Sequence, residues 1–552
     1  MVGNVAREHA APGAAGSGPL PGWVRVLPAR AIVDRGWTEC RPGVRGFRAP
    51  ILGGVEWPLE VPAELAAAAR VVNGRLALDG LTKTVLAVGV LGANADEAAA
   101  KFRAVGVPTD LSGVAVQGGF EAAAENGFGS IGVIRVQLTG PGYYEGIGDG
   151  GSLDILRQLM AVSPGVAFVA SVEERHVAGV LGQVRSWTPA EGTTLVVIPE
   201  ALPVAQWAQD NTKAGYRVGE ATLLAPRWAG RGEAGGIFVP GENALIDGLP
   251  RAGLKVSQSA MLFEGGNLML VREPGGRRVL LVGEAEVCRN VGLGLARPRV
   301  LEMFCAEFGA DICAVLPASS FHIDLEVTTR THEGRVLAFV PDTMKAVRTI
   351  CGLAAEKLAA AGMMSSHEAE VCGTDALPKV FAALASALWR RASGPGQYPL
   401  SMAEVFRSGE VDSGVGNLQR ILFAHDWLGA ELIPPSGYPV DRHAAAYLRS
   451  LRRAEADRRA LQRQLRGLGW EVVPVPAISS EEVSINSING VQDARRYLMP
   501  AYGGFFEPLD REAEAAFAAA LGSSVEIVPI LTGETQRRGG GLHCAVSAMA
   551  GL

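Results

Sequence analysis

No apolar run of about 18 residues occurs without a charge or a turn former, so no segment reads as a membrane helix. A strong charge of one sign is missing as well. Lys and Arg number 51 against 57 Asp and Glu, a net of −6 over 552 residues. That balance argues against a nucleic-acid surface or a polybasic membrane anchor. The seven cysteines (Cys40, Cys288, Cys305, Cys313, Cys351, Cys372 and Cys544) are odd in number and lack CxxC spacing, which disfavours a disulfide framework and a zinc site. There is no HExxH, and neither Gly146–Gly151 nor Gly275–Arg278 has the spacing of a phosphate loop or a dinucleotide fingerprint. Met1 to Pro21 has no apolar stretch of the kind a secretory signal needs, which makes a cytoplasmic location the default expectation.

Glycine and proline, by contrast, are plentiful at 70 and 32 residues. They imply many turns and short elements, more in keeping with a β-rich or α/β architecture than with a helical bundle. With 48% hydrophobic and 20% charged residues the chain is an ordinary globular one, long enough for a large core. Residues 1–22 read as a disordered N-terminus, 23–160 as an accessory N-terminal region, and 161–552 as the main domain with an insertion-like segment at about 345–470. From about Pro164 a theme repeats: a short apolar strand, an amphipathic helix, then a strand with polar residues just past its end. Strands are expected at Ile312–Leu316, Glu471–Val475 and Glu526–Ile530, and helices at Val172–Trp187, Val300–Gly309, Asp375–Ala392 and Asp510–Leu521. Arg442–Leu468 is a strongly charged helix whose simplest reading is a solvated face.

Four stretches could carry chemistry. Gly539-Gly540-Gly541-Leu542-His543-Cys544 lets the backbone approach a ligand closely and delivers a thiol at the bend. A turn into a buried strand fits the same residue types. In Phe321-His322-Ile323-Asp324-Leu325, read as a strand, His322 and Asp324 share one face while Phe321, Ile323 and Leu325 pack on the other. An imidazole beside a carboxylate suits general acid–base work near neutral pH and equally suits a structural hydrogen bond. Glu264 in Phe263-Glu264-Gly265-Gly266-Asn267 could orient an imidazole or cap a turn. Asp210 in Trp207-Ala208-Gln209-Asp210 could grip a planar cation through a charge-assisted pair or form an Asx-turn.

Taken in order, W-x-Q-D, E-G-G-N, H-x-D and a closing G-G-G-x-H-C resemble the guanidino-group-modifying superfamily, the penteins. This group includes the agmatine, arginine and protein-arginine deiminases and the amidinotransferases. Asn489-Gly490, Met499-Pro500-Ala501-Tyr502-Gly503 and Val528-Pro529-Ile530 add to the likeness, which covers about residues 160–552. The resemblance implies a five-bladed pseudosymmetric β/α propeller and makes 161–552 the catalytic domain. It implies Cys544 as nucleophile, His322 as general acid and base, and Asp210 and Asp324 as partners of the guanidinium. Glu264 would hold His322, with Trp207 and Asn267 also on the substrate side. The implied activity is a hydrolase deiminating an arginine-type guanidino group, with arginine in a peptide or protein preferred over a small molecule. Gln209 stands where the agmatine enzymes have arginine, and the W-x-Q-D form is closer to the calcium-dependent protein-arginine deiminases. No clustered Asp/Glu loop suggests calcium, and no cofactor is expected. An amidinotransferase, a dihydrolase or a degenerate guanidinium-binding module would fit the same scaffold.

Overall fold

The structure is a computed structural model. It describes residues 19–29, the strands between 38 and 77, and most of 116–374 and 455–550. The expectations for residues 1–18 and for Asp375–Ala392 lie outside the described residues.

One pattern of pairing occurs five times. An antiparallel strand pair is followed by a third strand that returns parallel to the second, and the return commonly runs through a helix. The pairs and their third strands are Val546–Ala550 and Ile131–Leu138 with Ala167–Glu173, Lys213–Arg217 and Glu220–Ala225 with Lys255–Gln258, Leu268–Arg272 and Arg278–Gly283 with Ile312–Leu316, Thr328–His332 and Arg335–Pro341 with Glu471–Val475, and Val491–Gln492 and Arg496–Ala501 with Glu526–Leu531. We number these units one to five in that order. Helices Ser152–Val162, Glu284–Val291 with Arg297–Phe308, Thr343–Ala360 and Glu507–Leu521 supply crossovers in units one, three, four and five. A parallel return needs a dozen or more residues to turn the chain round, which is why hairpins and helices alternate.

Unit one takes its first strand from the far end of the chain, and its sheet is widened by Thr194–Glu200 and Val24–Val26. Its second strand and its helix Ser152–Val162 lie largely before residue 160, so the sequence division at that point falls inside one sheet and core. Shared cores join unit one to two, three to four, four to five and five to one. Units two and three are tied by the Lys213 amine, which donates to the carbonyls of Gly265 and Leu268. The result is a mixed α/β fold.

Two local expectations need correction. The helix expected at Val172–Trp187 is a strand through Glu173 and a helix only over Val177–Val184, because the buried run of the strand continues past Ala170. Of the charged helix, residues 455–467 are described as helical, and they do not form a merely solvated face. Leu461 and Leu465 join the core of units three and four, and Arg458 is 1% exposed with Glu455 3.3 Å away. Charged residues dominate the sequence of that helix, yet its apolar stripe decides how it packs. No described helix is long and apolar enough to cross a membrane.

Candidate active site

Each unit begins with a loop that runs directly into its first strand, and the candidate residues sit in those loops. Gln209 and Asp210 precede Lys213–Arg217, Glu264 and Asn267 precede Leu268–Arg272, and His322 and Asp324 precede Thr328–His332. Asn489 precedes Val491–Gln492, and His543 and Cys544 precede Val546–Ala550. Segments far apart in the chain thus deliver polar side chains to equivalent strand ends. That is how a sheet-based scaffold assembles a site.

Gly266 marks the place where they meet. A Cβ on Gly266 would lie 2.9 Å from Asp210 Oδ1, 2.9 Å from His322 Nδ1 and 3.0 Å from Asp324 Oδ2. The Cys544 sulfur is 3.5 Å from the same Asp324 oxygen. His322 is 1% exposed, and Asp324 and Cys544 are each 2% exposed. Four of the five catalytic candidates therefore border one small space that any larger residue at position 266 would enter. The fifth, Glu264, lies behind the imidazole, with Oε2 at 2.5 Å from His322 Nε2.

His322 and Asp324 reach this point differently from the way their spacing suggests. The stretch is not a strand: His322 is extended, and Ile323–Leu325 form one 3₁₀ turn. The turn is pinned by the Ile323 amide donating to Asn267 Oδ1 at 3.1 Å and by Asn489 Nδ2 donating to the Asp324 carbonyl at 3.0 Å. Phe321 does not pack on an opposite face either. Its ring lies 4.7 Å from the His322 ring, centroid to centroid.

Asn267 and Trp207, the other two substrate-side candidates, both make contacts within the protein. Asn267 donates to Glu286 Oε1 at 2.9 Å while accepting from Ile323, so both ends of its amide are engaged within the protein. Trp207 packs flat on glycine backbone: a Cβ on Gly540 would fall 2.3 Å from its ring. The glycine run has a mechanical reason, since Gly541 is pressed against Asn489 in the same way. Asn489 Oδ1 accepts from the Cys544 amide at 3.1 Å, which fixes the short turn that carries the thiol.

Several residues of the site carried no recognisable signal in the sequence. Arg289 donates to Glu264 Oε1 at 2.8 Å and lies 3.3 Å from Glu286. Burial pushes the Glu286 carboxyl up to about 7. Glu125, from the loop after Phe120–Ala122, takes both its oxygens to 2.8 Å from the Lys213 amine. His543 bridges Glu125 and Asp324. Only His543 lay within a motif, and nothing in the spacing distinguished it from filler.

The electrostatics of the space are lopsided. Burial opposes a charge on His322, but Asp210, Glu264 and Asp324 outweigh it and raise the ring above the ordinary histidine range. Asp324 is held low against its burial by His543 and His322. The Cys544 thiol is pushed well above the ordinary thiol range, first by burial and then by the charges of Asp324 and Asp210. Without a cation present the site disfavours a thiolate. Asp324 Oδ1 is buried and has no hydrogen-bond partner, so it is an acceptor with capacity for a ligand donor. Among the described residues no group of three or more His, Cys, Asp and Glu could hold a metal ion.

No family model matches the chain, and no curated protein matches it. Solved structures do. One is a candidate arginine deiminase from Porphyromonas gingivalis, with 14% identity, a TM-score of 0.45, and coverage of 78% of this chain and 98% of that one. Another is the agmatine deiminase of C. jejuni, with 10% identity, a TM-score of 0.44, and coverage of 80% and 99%. A third is the DDAH of Pseudomonas aeruginosa complexed with citrulline, with 12% identity, a TM-score of 0.33, and coverage of 76% and 99%. These neighbours are guanidino-group-modifying enzymes of the pentein superfamily.

Proposed function

We propose that the chain is a hydrolase that deiminates an arginine-type guanidino group, giving a ureido product and ammonia. The observation that carries this reading is the convergence of Asp210, Asp324, His322 and Cys544 on the space bordered by Gly266. A guanidinium is planar, permanently charged and resonance-stabilised, so recognising it takes carboxylates and attacking it takes a strong soft nucleophile. Both are present within one buried pocket.

The steps follow from the charges. A guanidinium entering between Asp210 and Asp324 offsets the two charges that hold the Cys544 proton in place, so binding itself favours the thiolate. The sulfur adds to the guanidinium carbon. His322, charged in the free site, gives its proton to one nitrogen, which leaves as ammonia and generates a cationic thiouronium on Cys544. The neutral ring then takes a proton from water, and the hydroxide adds to the same carbon. Collapse expels the sulfur, which takes up the hydroxyl proton and so restores the Cys544 thiol, and frees the neutral ureido product. Glu264, backed by Arg289, keeps His322 Nε2 occupied, so that Nδ1 is the nitrogen that faces the reaction.

Each of the five units presents a loop of the same kind at the same place, and we read them as the blades of a five-fold pseudosymmetric propeller. In this reading the catalytic domain extends from Phe120, the start of the strand that leads to Glu125, to Ala550. Likeness at Trp207-Ala208-Gln209-Asp210 places arginine in a peptide first among substrates, with agmatine and free arginine next. The test is incubation with each of the three, with and without calcium, measuring ammonia and ureido product. Turnover of any one supports deimination and ranks the tails. Tight binding without turnover would replace the enzyme by a guanidinium-binding module.

A further inference from the structure

We propose that His543 is a positioning residue. Clamped between Asp324 and Glu125, it fixes the Asp324 carboxylate and offsets that carboxylate's charge beside the Cys544 sulfur. His543 Nδ1 stands 2.8 Å from Asp324 Oδ2, and Nε2 stands 3.4 Å from Glu125 Oε1. An imidazole that faces a carboxylate at each nitrogen can donate at both only when it is charged. Glu125 cannot turn away, because both its oxygens are held by the Lys213 amine, and Gln209 Nε2 donates to it at 3.2 Å. Charges therefore alternate in a row, from buried Lys213 through half-buried Glu125 and His543 to buried Asp324.

The row ends at the chemistry. Asp324 Oδ2 is the oxygen that faces both the His543 ring and the Cys544 sulfur. A donor on that oxygen competes with the thiol proton for it, and a positive charge there weakens the field that opposes a thiolate. Both effects favour ionisation of Cys544. With Oδ2 held, Oδ1 is left for a ligand. His543 reaches the reacting groups through Asp324. With Asp324 and Glu125 it lines a separate cavity that also includes Thr328 and Gln492 and whose walls include neither Cys544, His322 nor Asp210. The charged and titratable groups facing His543 among the described residues are Asp324, Glu125 and, one step away, Lys213 and Cys544. Burial opposes its charge, but Asp324 and Glu125 outweigh it and push the ring up to about 9.

The consequence for turnover rests on the deiminase reading, but the test does not. The rate of Cys544 alkylation by iodoacetamide is measured against pH, without substrate, in the parent and in His543→Asn. Asparagine keeps a donor near the Nδ1 position and removes the charge and the Glu125 contact. Loss of one opposite charge at this range moves a neighbouring group by about one pH unit, so alkylation at neutral pH slows about tenfold and the profile moves to higher pH. An unchanged profile in folded His543→Asn overturns the proposal. A second measurement needs no variant: nitrogen NMR of the parent at neutral pH should show both His543 nitrogens protonated, and a neutral ring overturns the proposal as well. If the alkylation shift is found and no guanidino compound is turned over, the deiminase reading fails and the role of His543 stands.

Discussion

The pocket has two imidazole arms built to one plan. On one side His322 bonds Glu264, which bonds Arg289. On the other His543 faces Glu125, which bonds Lys213. Ring, carboxylate and cation recur in the same order, and both carboxylates are fixed by a buried base. The arms differ at the second ring nitrogen. In His543 that nitrogen is 2.8 Å from Asp324, a full hydrogen bond. In His322 it stands 3.6 Å from the nearest Asp210 oxygen and 2.9 Å from the point where Gly266 would carry a Cβ. A ring bonded at both ends holds its proton, whereas a ring whose second nitrogen stands 3.6 Å from a carboxylate, beside the reacting groups, can pass a proton on. The same three residue types therefore serve transfer in one arm and placement in the other, and the choice is made by what the last nitrogen meets.

The comparison breaks first at the rings. His322→Asn should lower turnover of a guanidino substrate by about 10³-fold, the scale of lost acid–base catalysis, with the fold retained by circular dichroism. His543→Asn should lower it by about tenfold. Equal losses, or the reverse order, would erase the distinction between the arms.

Next come the anchoring cations. Arg289→Met leaves Glu264 and Glu286 buried without their partner, whereas Lys213→Met leaves Glu125, whose side chain is 21% exposed, able to reach water. Arg289→Met should lose about 3–5 kcal/mol of stability in urea unfolding, the usual result of breaking a buried pair from one side, and Lys213→Met less. A negligible loss in either variant would show that the arm does not depend on its cation.

The third test uses pH. The His543 ring is raised in the folded protein to about 9, above its unfolded value near 6.5. Its contribution is therefore complete below that unfolded value and is lost as pH rises through about 9. The difference in urea-unfolding stability between parent and His543→Asn should be largest near pH 6, falling by about 3 kcal/mol by pH 10. A difference that grows with pH would mean the ring is neutral in the folded state.

The last test sharpens the geometry of the His322 arm. Gly266→Ala puts a methyl within 3.0 Å of Asp210, His322 and Asp324, so kcat/KM should fall about a hundredfold, as expected for a small displacement of reacting groups. The methyl also meets Asp324 Oδ2, the oxygen that faces both His543 and the Cys544 sulfur, so the alkylation profile of Cys544 should move as well. A variant as active as the parent would place the ligand elsewhere.

Much of this was readable in the chain and some was not. Strands Ile312–Leu316 and Glu471–Val475 lie where apolar periodicity puts them, and the order of four motifs, through its resemblance to the penteins, made Cys544, His322, Asp324, Asp210 and Glu264 the candidates. Local sequence determines these because backbone torsions, face alternation and the conformational needs of glycine act over a few residues. The His322-Ile323-Asp324 stretch shows the limit: its alternation matches a strand, yet bonds from Asn267 and Asn489, distant in sequence, make it a turn. Glu125 stood in a region without a motif, and Arg289 lay in no motif either. Their importance arises only when the first strand of unit one comes from the end of the chain and sheet register brings the unit loops to one place. Pairing across hundreds of residues leaves no periodic trace in either partner, so the tertiary structure alone decides what each ring nitrogen meets.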